Sequence, residues 1–150
     1  MAKVFIYPAT SLILSDLVAR FGHQPLGAAL SIRERIQTAG VESPPLQITP
    51  EEPKKGLKYA AVEVPSGVRG RMSVYGPLIE AAEAAVIVTD ADLAFGCMGC
   101  ARTDELILFS LRSKDIPILE VEYPRSEEEG VRFVAAIRDF LANLKTEETA

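Results

Sequence analysis

Apolar positions along this chain fall into two rhythms. Short runs rich in β-branched and aromatic residues, Lys3–Tyr7, Tyr59–Val64, Ala85–Thr89 and Ile116–Val121, predict strands, and a shorter one is expected at 46–49. Spacings of three and four predict helices. Leu14, Leu17, Val18 and Phe21 follow Ser11 as N-cap and stop at Gly22. Ala29, Ile32 and Ile36 mark a second helix over 26–39, ended by Gly40. A third is expected within 73–84 with Pro77 in its first turn. Thr103 reads as the N-cap of a fourth, with Asp104 and Glu105 at its positive end and Arg112 and Lys114 near its negative end. The closing helix has a capping box, Ser126-Glu127-Glu128-Glu129, ahead of a stripe made by Phe133, Val134, Ile137, Phe140, Leu141 and Leu144.

Strands alternating with helices imply right-handed crossovers and a mostly parallel sheet. The fold class is α/β: a doubly wound sheet of four or five strands with helices on both faces. At 150 residues the chain is expected to form a single domain over 1–150. Five of the ten prolines lie in residues 44 to 65, which predicts an irregular loop at about 42–58, and the tail at about 146–150 is expected to fray. Ligands of such sheets collect beyond the carboxyl ends of the strands. Here those are the loops at 8–11, 65–73, 90–103 and 123–126.

Charge narrows the functional classes. The net charge is −5, from 21 acidic and 16 basic residues, which supplies no broad basic face for a nucleic acid. Apolar stretches such as Ala84–Thr89 and Leu106–Leu111 are far shorter than the roughly 20 residues needed to cross a bilayer. With an opening that lacks a secretory pattern, the expected location is cytoplasmic.

The two cysteines stand together as Cys97-Met98-Gly99-Cys100, in the loop expected between a buried strand and the helix at Thr103. That spacing lets two sulfurs bond each other or grip one metal, and Gly96 and Gly99 let the backbone bend around them. Three readings stay open: ligation of an iron–sulfur cluster or zinc, dithiol redox cycling, and plain packing. A closed metal site takes four ligands, so ligation calls for a twofold homo-oligomer or a protein partner to supply the rest. Arg102 and the helix start at Thr103 would favour thiolate.

Other candidates are weaker. Gly67-Val68-Arg69-Gly70-Arg71 combines bendable backbone with two guanidinium groups and suits an anion, although it matches no P-loop or dinucleotide fingerprint. Asp90 and Asp92 follow the central strand, where aspartates more often satisfy turn amides. His23, the only histidine, reads first as a turn residue, with base or ligand as alternatives. No complete catalytic set is present, so the chain is not expected to be an enzyme by itself.

The segments Val4-Phe5-Ile6-Tyr7-Pro8-Ala9-Thr10-Ser11-Leu12-Ile13-Leu14, Arg20-Phe21-Gly22-His23 and Phe95-Gly96-Cys97-Met98-Gly99-Cys100-Ala101-Arg102-Thr103 resemble the methanogenesis marker protein 5 family over nearly the whole chain. The resemblance implies a small protein of methane-producing archaea in an oxygen-free cytoplasm. It brings no assigned activity and no catalytic residues. By association it suggests an accessory role in the maturation or activation of methyl-coenzyme M reductase or its nickel cofactor, alongside protein partners.

Overall fold

A computed structural model describes residues 1–29, 33, 51–91 and 98–147. Four strands, β1 (Lys3–Tyr7), β2 (Gln24–Leu26), β3 (Ala84–Thr89) and β4 (Ile118–Glu122), form one sheet in the order β2-β1-β3-β4, every pair parallel. The helices are α1 (Leu12–Arg20), α2 (Glu51–Lys55), α3 (Ser66–Ala81), α4 (Met98–Arg112) and α5 (Glu127–Glu147), with a 3-10 turn at Gly56–Lys58. The expected α/β class with a parallel sheet is the one observed.

The chain forms two compact units. The first comprises Met1–Gly27, Ala82–Leu93 and Asp115–Ala150 and carries the sheet. Period-two alternation sends Val4 and Ile6 of β1, with Ala84, Val86 and Val88 of β3, into one core with Leu14 and Val18 of α1 and Ile137 and Leu141 of α5. Local signals frame this unit as the sequence predicts. Ser11 Oγ accepts from the Leu14 amide at 3.2 Å. Gly22 takes a left-handed φ of 84° while its amide and that of His23 donate to the Ala19 and Val18 carbonyls, a Schellman ending. Ser126 Oγ accepts from the Glu129 amide, and Glu129 reaches back to the Arg125 amide at 2.8 Å. β4 begins after Pro117, whose carbonyl accepts from Ala85.

The second unit comprises Ala28–Ala81 and Ala94–Lys114 and is helical in its described part. Here several expectations are corrected. Tyr59–Val64 is not a strand: the Tyr59 and Ala60 amides both donate to the Gly56 carbonyl, and the Tyr59 ring lies against Gly76. Tertiary contact overrides strand propensity there. α3 begins at Ser66, seven residues before the expected start, because the Pro65 carbonyl already accepts from Val68 and Arg69. Pro77 accordingly lies inside the helix rather than in its first turn. Just after the end of α4, the Lys114 ammonium donates to the Ile79 and Glu80 carbonyls at the C-terminus of α3, at 2.8 and 2.9 Å.

In the stretch expected to be an irregular loop at about 42–58, Glu51–Lys55 is helical. Leu26 belongs to β2 rather than to a helix; residues 28, 29 and 33 are helical, and the remainder of that expected helix and the strand at 46–49 lie outside the described residues. α5 runs on through Thr146 and Glu147.

Candidate functional site

Cys97 lies outside the described residues, while Cys100 stands half-buried in the first turn of α4. The helix therefore starts at Met98, not at Thr103. Thr103 is 2% exposed, and its hydroxyl donates to the Gly99 carbonyl at 2.8 Å, one turn back inside the helix. A threonine that satisfies its hydroxyl this way can be buried in a helix interior instead of capping it. The consequence for the site is direct. The amides of a helix's first turn have no intrahelical acceptor and form its positive end, and Cys100 is among the residues that carry them.

α3 supplies the other side of this cluster. Arg71 and Tyr75 are one turn apart on α3, as Cys100 and Asp104 are on α4. Tyr75 senses the other three: burial holds its phenol above its ordinary range, the charges of Asp104 and Cys100 push it the same way, and Arg71 opposes. Tyr75 is thus kept as a neutral phenol beside the thiol-bearing turn. A guanidinium and a helix start both favour thiolate over thiol, and Asp104 counters them. Sequence reading found Arg71 and Cys100 separately and missed Tyr75 and Asp104. The signal was the matching four-residue spacing, hidden because both helix starts were placed too late.

The remaining arginine-segment residues have other partners. All five residues from Gly67 to Arg71 lie in α3, so the expected loop is a helix start. Arg69 Nε donates to the Val64 carbonyl at 3.1 Å, and its Nη1 donates to the Pro53 carbonyl at 3.4 Å. Gly70 is buried in the helix, and Arg71 Nη1 donates to the Gly67 carbonyl at 3.5 Å. Arg102 is exposed and lines a shallow groove with Val64, Glu105 and Phe109.

His23 and Asp90 belong to the sheet-bearing unit. His23 is 4% exposed and is not a surface turn residue. Its Nδ1 accepts from the Ala2 amide at 3.2 Å and its Nε2 faces the Leu141 carbonyl at 2.8 Å. Those partners assign the proton to Nε2 and use both ring nitrogens to tie the N-terminal edge of the sheet to α5. Asp90 is exposed directly after β3, and Asp92 lies outside the described residues. Among the described residues no three His, Cys, Asp or Glu side chains gather as a metal-ligand set, and no helix is long and apolar enough to cross a membrane.

The order β2-β1-β3-β4 and the half-buried thiol of Cys100 at a helix start define a parallel α/β protein with a candidate thiol site. Sequence comparison then supplies its kin. The chain belongs to the archaeal family described as "Uncharacterized protein conserved in archaea" (DUF2112), which matches residues 2–144. It is similar to "Uncharacterized protein MJ0404" of Methanocaldococcus jannaschii, with 60% identity over 145 residues and 97% of each chain covered. No solved structure matches the chain.

Proposed function

We propose that this protein is an accessory protein of methane-producing archaea that offers Cys97 and Cys100 as half of an iron–sulfur or zinc centre completed by a protein partner. Its work would lie in the cytoplasm, on methyl-coenzyme M reductase or its cofactor. The observation that carries the reading is Cys100, half-buried in the first turn of α4, where the positive end of the helix favours the thiolate a metal requires. The residues present do not by themselves fit a closed four-ligand site, since the chain has two cysteines and its histidine has both ring nitrogens engaged. The archaeal family and a relative from a methanogen support the metabolic setting, as does the resemblance to the methanogenesis marker proteins.

The same surroundings favour a second reading, a dithiol that cycles with its disulfide, because the thiolate is also the nucleophile of thiol–disulfide exchange. Iron, zinc and acid-labile sulfide, measured on protein purified without oxygen beside Cys97→Ser and Cys100→Ser variants, separate the two. Ligation by a shared site predicts about half to one metal equivalent per chain, lost in both variants. Metal-free parent protein whose two reactive thiols both vanish on mild oxidation and return on reduction moves the assignment to redox cycling.

A further inference from the structure

The carboxyl edge of the sheet holds a second candidate site, independent of the cysteines. β1 leads through α1 to β2 on one side, while β3 leads to β4 on the other, so the neighbours β1 and β3 are the point where the winding reverses. The loops leaving such a pair part from each other and open a crevice. A cavity of about 400 Å³ lies there, lined by Pro8 just after β1 and by Val88 near the end of β3. That volume falls within the range of small-molecule pockets. Its walls are helical: Ile13 and Leu17 from α1, Phe133 and Val134 from α5. Among the described residues no charged side chain lines it, and hydroxyls come from Thr10, Ser11 and Tyr123.

Two details argue that this space is kept open. Gly130 lies in the α5 wall, and a Cβ added there meets nothing within 4 Å, so no close packing demands glycine. Glycine nonetheless costs a helix stability relative to alanine or leucine; what the missing side chain leaves is room in the crevice. Ile13 is 73% and Val134 43% exposed, an apolar rim left facing water.

We propose that this crevice binds a small uncharged molecule with an apolar ring or short chain. Its body would lie between Ile13, Leu17, Phe133 and Val134 and its hydrogen-bonding group at the Thr10 or Tyr123 hydroxyl. A charged body would be desolvated against these walls without a partner, and an amphipathic helix needs a longer groove than this cavity provides.

N-phenyl-1-naphthylamine, an uncharged two-part aromatic dye with one N–H donor, is the probe, titrated by fluorescence into the full chain and into Gly130→Leu and Ile13→Asp variants. The expected result is saturable one-to-one binding to the parent. In Gly130→Leu the affinity falls by about tenfold or more while Tm equals or exceeds the parent's, since leucine fills the crevice and favours the helix. Ile13→Asp, changed at an exposed position, weakens binding at unchanged Tm and serves on its own if the leucine variant does not fold. Absence of saturation in the parent overturns the proposal, as does equal affinity in the parent and the folded variants. A parent dimer in size-exclusion chromatography that becomes monomeric in Ile13→Asp also overturns it, because the face is then an interface between copies.

Discussion

The sheet-bearing unit and the helical unit are held together by different kinds of contact. In the first, stability comes from side chains that alternate into a common core: Val4, Val86, Ile137 and Leu141 are all fully buried in it. Its helices start and stop on signals a few residues long, at Ser11, Gly22 and Ser126. In the second, backbone segments approach each other closely and long side chains reach distant carbonyls. A Cβ at Gly56 would lie 1.8 Å from the Arg69 carbonyl oxygen, and one at Gly76 would meet the Tyr59 ring at 2.5 Å. Arg69 and Lys114 each donate to two backbone carbonyls outside their own helix. A core of the first kind is written in periodicity; a clamp of the second kind is written in single residues whose partners lie far along the chain.

The comparison is sharpened first by the core. Ile87→Ala in β3 removes buried volume from a rigid strand and is expected to cost about 2–5 kcal/mol, read from chemical denaturation. Next come glycines from the two units. Gly56→Ala forces backbone apart and should cost about 1–3 kcal/mol or more, whereas Gly130→Ala enters open space and should gain about 0.4–1 kcal/mol. Equal effects of the two substitutions would break the distinction between clamp and core.

His23→Leu fills a similar space but leaves the Ala2 amide buried without its acceptor and removes the bond that ties the ring to the Leu141 carbonyl. The expected loss is about 2–3 kcal/mol. The smallest effect concerns surface charge. Lys58, Tyr59 and Glu80 meet at 2.6 Å for the ion pair and 3.2 Å for the phenol–carboxylate hydrogen bond. The hydrogen bond to Lys58 holds Glu80 below its ordinary value, and the same bond raises Lys58. The Glu80 contribution is therefore present above the usual carboxylate range and lost as pH falls through the lowered value. The Lys58 contribution is present below the usual lysine range and lost as pH rises through the raised value. Tm of the parent and of Glu80→Gln should differ slightly near neutrality and converge at both extremes. Solvent screening keeps the difference small.

This contrast also explains what could be read from the amino-acid sequence. β1, β3, β4, α1 and α5 announce themselves through alternation, helical spacing and caps that act within a few residues. β2 escapes because it spans only Gln24-Pro25-Leu26, too short to show a period, and takes its place from pairing with Lys3–Phe5. Tyr59–Val64 has strand composition, yet Gly56 and Gly76 make a turn the better fit for Tyr59. The starts of α3 and α4 were hidden for a related reason. Ser66-Gly67 looks like a turn and Thr103 looks like a cap until Pro65 and Gly99 are seen to accept the bonds that place them inside helices. That error cost the site most: Arg71 and Cys100 were each found, but their common cluster with Tyr75 and Asp104 was not.

The central claim is that Cys97 and Cys100 act as a pair. Counting thiols that react with a chromogenic disulfide, on protein purified without oxygen, before and after acid denaturation in the presence of a chelator, tests it most directly, with Cys97→Ser as reference. Pairing by ligation predicts fewer than two reactive thiols per folded parent chain, two after denaturation, and a Cys100 in the variant that reacts in the folded state. Two thiols that react in the folded parent at the same rate as Cys100 reacts in the variant would contradict it.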